Sequence, residues 1–412
     1  MVLAREWDDL VTHVRAMPGF EDFLRPPRLE NLLPVARSGP VVVVNVSRWR
    51  CDAIIARDSG TEVVTLPDLT ANEVARHADA YLRALLTVEQ ATQALFLARR
   101  RFDDGDRSRD ATAAYDVAKR AYAFARRDME SGLTDVTAWL WDAVGEPVLT
   151  ALGFTTTRPD PPRLWWCPTG LLSLLPLHAA GRHDTGDGHT VLDRVVSSYT
   201  PTLRALREAS QDSEPTGRRM LVVALPNMPG QVPLPAVTRE RDLLTRVFAG
   251  CHTLLEGADA NWEAVRAQVP NHAWVHFSCH GDQDLADPSR GGLLLYDRTL
   301  TIGDVGTTEY RGEFAFLSAC KTATGGLALA DEVITLAAAL HYTGYRHVIG
   351  TLWSVHDTMA ATVAESVYTD LTVNGTFEPA RSAHALHAAI RRIRDESDGR
   401  LSTWMPFTHT GP

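Results

Sequence analysis

The chain has 412 residues, a formal net charge of −10, 45% hydrophobic and 22% charged residues, which describes a soluble globular protein of one large domain or two ordinary ones. The acidic balance excludes a protein that coats nucleic-acid duplexes, because that needs clustered Lys and Arg. The start, Met1-Val-Leu-Ala-Arg-Glu-Trp7, has no signal-peptide apolar region, no apolar run reaches membrane-spanning length, and the cysteines at 51, 167, 251, 279 and 320 lack regular spacing; a reducing, cytoplasmic setting without membrane contact is expected.

In chain order, Arg5 to Phe23 reads as a short helix closed by Pro18-Gly19. Val41–Val46, Asp52–Ala56 and Glu62–Leu66 are separated by turn-forming breaks and read as a three-strand meander. Thr70 followed by Glu73 is a capping box, and Val74, Ala78, Tyr81, Leu82, Leu85 and Leu86 then line one helical face. The charged run Asp103–Asp110 breaks that helix; a second pattern follows through Tyr115, Ala118, Tyr122 and Ala125, and a third through Trp139, Val144, Val148 and Leu152. Pro159-Asp-Pro-Pro162 marks a boundary, and the Gly/Asp-rich stretch 181–190 and the polar run Glu208–Arg219 read as loops, the first as mobile surface.

From Met220 onward short apolar strands alternate with helices. Expected strands are Met220–Leu225, His252–Leu255, Ala273–Ser278, an accessory Gly292–Tyr296, the run before Cys320, His347–Leu352 and Met405–Thr410. Expected helices are Thr238–Phe248, Asn261–Val269, an all-round apolar Leu327–Tyr342 stopped by Gly344, Thr358–Leu371 and Pro379–Arg394. That alternation predicts an α/β sandwich around a mostly parallel sheet, preceded by a small β-meander and a helical region. The boundaries fall at 1–69 for the helix and meander, 70–158 for the helical region and 159–412 for the α/β domain, of which 159–219 is accessory.

Two strand ends carry the chemistry. Ala273-Trp-Val-His-Phe-Ser-Cys-His280-Gly281 and Phe314-Ala-Phe-Leu-Ser-Ala-Cys320-Lys-Thr-Ala-Thr324 are apolar runs that stop abruptly in reactive and small residues. In an open parallel sheet the carboxyl ends of strands share the ligand-binding edge, so neighbouring strands would bring His280 to Cys320. A thiol needs a base or a positive partner to become thiolate near neutral pH, and imidazole is the usual one. A Cys-His dyad attacking a carbonyl is the expectation, and it calls for no cofactor. Cys279 alternates to the opposite face from His280 and reads as a packing residue. No C-x-x-C or H-E-x-x-H completes a metal site, and no G-x-S-x-G supports a serine hydrolase.

These paired blocks resemble the catalytic blocks of CHAT-domain peptidases, relatives of caspases and separases. Four more stretches are similar to that family, in its order: Leu164–Leu177, Leu234-Pro-Ala-Val-Thr-Arg-Glu240, His347–Asp357 and Trp404–Gly411. The resemblance implies a caspase-like α/β/α sandwich over 159–412, with 159–219 pseudo-catalytic and 220–412 catalytic. It also implies a cysteine endopeptidase acting on protein substrates in a signalling or defence setting, with the Gly281 and Cys320 N–H groups forming the oxyanion hole. Phe23-Leu-Arg-Pro-Pro resembles the segment that joins TPR-type repeats to the CHAT module in larger relatives; no 34-residue repeat is visible, so the chain is either a short form or the C-terminal part of something longer. The region 70–152 is a candidate docking surface for an activating partner. The alternatives are a catalytically silent CHAT scaffold and cysteine acyl transfer to a non-protein amide.

Specificity is expected at Asp357. In separase-like relatives an acid from this block holds the P1 arginine, and a carboxylate accepts two parallel hydrogen bonds from a guanidinium. Ser354 stands where separases carry a further Asp, and Glu332 is a second candidate by resemblance. Equally, Asp357 fits the N-cap of a helix beginning at Thr358. The expected cleavage is after Arg, with Lys weaker.

Overall fold

A computed structural model describes the chain except for residues 1, 19, 21–22, 26, 184, 212–216, 284–286, 320–321, 323–334 and 397–398. The N-terminal helix spans Val2–Arg15 and stops short of the expected Phe23, because Pro18 has no N–H to donate and disfavours helical backbone at the residue before it. The meander forms as expected: β1 (Val41–Asn45), β2 (Asp52–Arg57) and β3 (Gly60–Thr65) pair antiparallel. The free side of β1 pairs with β4 (Arg163–Pro168) in parallel, so the meander belongs to the main sheet. β5 (Val196–Tyr199) continues it beside β4.

Between β3 and β4 lies a long helical hairpin. Its first helix, Ala71–Asp103, starts where the Thr70 hydroxyl accepts the Glu73 N–H at 3.1 Å. The Glu73 carboxylate binds Arg76, so the capping box operates on its Thr70 side. The second and third expected helices are one: Arg109–Leu140 runs through a π-turn at Trp141–Gly145 into Glu146–Leu152. Pro147 cannot donate the helical hydrogen bond, and the widened turn absorbs that loss without ending the helix. Tyr81 meets Trp353 edge-on at 5.8 Å, which docks the base of the hairpin on the His347–Asp357 block.

The remaining strands are β6 (Met220–Ala224), β7 (His252–Glu256), β8 (Trp274–Ser278), β9 (Gly281–Asp282), β10 (Gly292–Leu294), β11 (Thr299–Thr301), β12 (Phe314–Ser318), β13 (His347–Thr351), β14 (Thr372–Val373), β15 (Thr376–Phe377) and β16 (Phe407–Thr410). Among the described residues the main sheet has eleven strands in the order β3-β2-β1-β4-β5-β16-β13-β12-β8-β6-β7. β13, β12, β8, β6 and β7 are mutually parallel; β16 pairs antiparallel with β13 and parallel with β5. Two parallel runs of opposite polarity, β13-β12-β8-β6-β7 and β16-β5-β4-β1, therefore meet at β13 and β16, with the antiparallel strands β2 and β3 beyond β1, and the carboxyl ends of β8, β12 and β13 share one edge. The accessory strand β10 stands in a separate three-stranded sheet, between β9 and β11.

Successive residues of the central strands point to opposite faces, and they enter two different cores. Val222, Phe314, Phe316 and Ile349 pack with the helices Asp357–Leu371 and Ser382–Glu396. Val223, Val275, Phe277, Ala315 and Leu317 pack with Trp262–Gln268, Ile302–Gly306 and Leu336–Tyr342. Both faces are covered, as an α/β/α sandwich requires.

Of the expected helix Leu327–Tyr342, the described part begins at Leu336, capped by the Thr335 hydroxyl; 327–334 lie outside the described residues. The stretch 181–190, expected as mobile surface, is tied at its base. Gly181 bridges Thr190, and Arg182 binds the Asp142 carboxylate with both oxygens at 2.8 and 2.7 Å. The stop at Gly344 is tightly specified: its φ is +120°, and a Cβ there would lie 1.9 Å from the Tyr310 carbonyl oxygen. Gly344→Ala is expected to cost about 2–4 kcal/mol, from left-handed backbone strain plus overpacking. Urea unfolding of the variant against the parent measures it, and an unchanged midpoint would contradict it.

Candidate active site

His280 lies two residues beyond the end of β8, at the carboxyl edge shared with β12 and β13. Its half-buried ring places Nε2 2.8 Å from the Val232 carbonyl oxygen. A carbonyl can only accept, so Nε2 carries the proton and the neutral ring keeps its lone pair on Nδ1. Burial lowers the His280 pKa below the usual imidazole value, and the Val232 bond opposes that shift. A neutral imidazole with one nitrogen anchored is ready to accept a proton at the other.

The chain around Cys320 is anchored from β13. β8 and β12 pair with Ser278 opposite Ser318, so the described chain reaches the same edge two residues before His280 and two before Cys320. Cys320 itself, like Glu332, lies outside the described residues. On its flanks, the Thr351 hydroxyl donates to the Ala319 carbonyl at 2.7 Å, and the Thr351 N–H donates to the Thr322 hydroxyl at 2.9 Å. One residue at the end of β13 thus holds the Ala319 carbonyl before the cysteine and the Thr322 side chain after it.

Gly281 begins β9, whose partner is β10. The Leu294 N–H donates to the His280 carbonyl at 2.8 Å. That bond, with Leu293 opposite Gly281, makes the Gly281–Leu293 pair non-hydrogen-bonded. The Gly281 N–H therefore faces away from β10, on the unpaired edge of the small sheet. Cys279 alternates to the other face and is buried in the second core, where its packing role was expected. Cys167 is likewise buried, which pushes its thiol up to about 12 and makes it inert.

Asp357 is the first residue of the helix Asp357–Leu371, one residue earlier than expected, with His356 in the cap position. Its Oδ2 accepts the Ala236 N–H at 2.9 Å and its Oδ1 accepts the Thr358 N–H at 2.8 Å; the His356 Nδ1 is 3.2 Å away. The carboxylate thus ties the start of the neighbouring helix Val237–Val247 as well as its own. The segment that receives it is the one whose Val232 carbonyl holds His280.

Sequence reasoning missed a buried polar cluster beneath the strand ends. Glu240 Oε2 accepts from His276 Nε2 at 2.7 Å and from the Ser278 hydroxyl at 2.8 Å, while Oε1 accepts from the Ser318 hydroxyl at 3.1 Å. The His276 Nδ1 meets the Tyr368 hydroxyl at 2.9 Å. The available signals were the Glu closing the block Leu234–Glu240 and the polar residues at 276, 278 and 280, every second position of one strand. Among the described residues, no group of three His, Cys, Asp or Glu could hold a metal ion, and no helix is long and apolar enough to cross a membrane.

The CHAT domain family model matches residues 134–412. Among solved structures, the chain is similar to the Saccharomyces cerevisiae separase–securin complex at TM-score 0.59 and 10% identity, covering 93% of this chain and 30% of that one. It is also similar to the Arg-specific cysteine proteinase gingipain R at TM-score 0.40 and 11% identity, over 68% of this chain and 67% of that one. The chain spans about a third of the length of the separase chain it matches. No curated protein sequence matches it. The family match extends over more than half of the chain, and the overall fold is similar to that of separase; the chain belongs to the CHAT domain family and has its caspase-like α/β fold.

Proposed function

We propose that this chain is a cysteine endopeptidase in which His280 and Cys320 form the catalytic dyad. The observation that carries the reading is the anchored tautomer of His280 at the end of β8, beside a β12 in matching register. His280 Nδ1 takes the Cys320 thiol proton, and the thiolate attacks the scissile carbonyl carbon. The Gly281 N–H, turned away from β10, and the Cys320 N–H receive the oxyanion; one such donor is commonly worth ~10²–10³ in rate. The imidazolium returns its proton to the leaving amine. Water, deprotonated by the same ring, then hydrolyses the thioester and restores the thiol.

The preferred P1 residue is basic, with Asp357 and Glu332 as the acids of the pocket. Each oxygen of Asp357 accepts a backbone N–H, and a carboxylate oxygen has capacity for a further donor. The substrates are proteins, and the setting is cytoplasmic signalling or defence.

The test is irreversible labelling by peptidyl chloromethyl ketones that differ only at P1. An Arg ketone is expected to add once, on the peptide containing Cys320, and faster than a Lys ketone. Labelling led by Asp or by large apolar residues would remove the basic pocket, and an absent adduct on Cys320 would favour the scaffold reading. Asp357→Asn is expected to slow labelling by the Arg ketone about 10–10²-fold, the worth of one hydrogen bond to a charged group, while stability falls by only the ~1 kcal/mol of the one backbone hydrogen bond that an amide cannot accept. Equal loss with every P1 residue would show that Asp357 acts structurally.

A further inference from the structure

We propose that Glu240 is a positioning residue that sets the separation of the two catalytic strand ends. The inference rests on the cysteine-peptidase reading and concerns how its dyad is held. Glu240 is 2% exposed, and a carboxylate is costly to bury unless its oxygens are hydrogen-bonded. Here both oxygens are used, and they are divided between the strands. Oε2 takes His276 and Ser278 of β8; Oε1 takes Ser318 of β12. Ser278 and Ser318 stand opposite each other and two residues before His280 and Cys320. A rigid planar group bridging the pair fixes the strands at the last register position before the reactive residues.

The rest of the surroundings allows Glu240 little movement. His276 is fully buried, stacks on Phe316 of β12 at 5.0 Å and is held at Nδ1 by the Tyr368 hydroxyl. The helix Val237–Val247 that carries Glu240 follows the segment whose Val232 carbonyl anchors the His280 ring and whose Ala236 N–H is bound by Asp357. One stretch of chain, 232–240, therefore contacts the base, the candidate specificity acid and both strand ends. A misplacement of about 1 Å in a dyad can cost 10²-fold in rate.

The experiment compares Glu240→Gln and Ser318→Ala with the parent. The readouts are peptide kcat and KM, the pH dependence of iodoacetamide alkylation at Cys320 followed by peptide mass spectrometry, and thermal unfolding. Glu240→Gln is expected to lower kcat about 10²-fold with KM within about twofold. The alkylation midpoint should rise toward the ordinary thiol value of about 8.5. Ser318→Ala, which frees only Oε1, should show the same shifts at about a tenth of the size in rate, with an unfolding temperature lowered by a few degrees because one oxygen of a buried carboxylate loses its donor. Parent-like kcat and alkylation midpoint in both variants overturn the proposal. Should Glu240→Gln not fold, Ser318→Ala decides alone: a raised midpoint supports the proposal, an unchanged one overturns it. Full turnover in Cys320→Ala would instead overturn the peptidase reading, whatever Glu240 does.

Discussion

Cys320→Ala and His280→Ala are each expected to lower peptide cleavage by at least about 10³-fold while leaving the folded protein intact. The alanine at 320 removes the nucleophile, so only binding and oxyanion stabilisation remain. The loss at 280 has two parts. Without the imidazole the thiol titrates near its ordinary value of about 8.5, so a few per cent is thiolate at pH 7. Without the acid, the leaving amine departs unprotonated, a further 10²–10⁴-fold. His280 is half-buried and among the described residues its ring gives up one bond, to Val232, so its removal should barely move the unfolding temperature. Kinetics at pH 7.5 with a basic-P1 peptide, alongside thermal unfolding, measure both. Cleavage near the parent rate in either variant would show that another group does the chemistry.

Acid is expected to unfold this protein well above the carboxylate range. His178, His341 and His387 are lowered to about 4 and His347 to about 3, each chiefly by burial. His409, hydrogen-bonded to Ser198 and beside His347, is lowered further in the same direction. In the unfolded chain these imidazoles titrate near 6.5. Between about pH 6.5 and 4 the unfolded state therefore binds more protons than the folded one, and stability falls as pH falls. Their contribution is complete above about pH 6.5, and each buried imidazole removes about 2 kcal/mol by pH 5. Four together approach the whole stability of an ordinary domain. Urea unfolding at pH 7.5, 6.5, 5.5 and 5 tests this, with a steep fall expected over the last two steps. His387→Leu should flatten the slope by one proton at little structural cost, since its Nε2 is buried without a hydrogen-bond partner among the described residues. Constant stability from pH 7.5 to 5 would contradict the expectation.

The strands of the central sheet were legible because each is a short buried run ended by small or polar residues. β6, β8, β12 and β13 all lie where the apolar runs predict them. The side of β8 that carries Cys279 was legible for the same reason, since alternation is a property of one strand. Helix continuity was less so. The patterns ending at Ala125 and starting at Trp139 read as separate helices, yet they are one, and packing on the sheet face carries it through Pro147 by a π-turn; tertiary contact overrides local preference there.

By itself, then, the order of residues determined the family, the α/β alternation, and the two strand ends that carry His280 and the approach to Cys320. These depend on period, length and neighbouring side chains, all of which act over a few residues. The tertiary structure alone decided the antiparallel seam between β13 and β16, which joins two parallel runs of opposite polarity. It decided that Asp357 reaches Ala236, that Val232 selects the tautomer of His280, and that Glu240 spans β8 and β12. Each of these is a hydrogen bond between groups far apart in the chain. Its donor and acceptor are common residue types, and no local pattern marks them as partners until the sheet has brought their strands together.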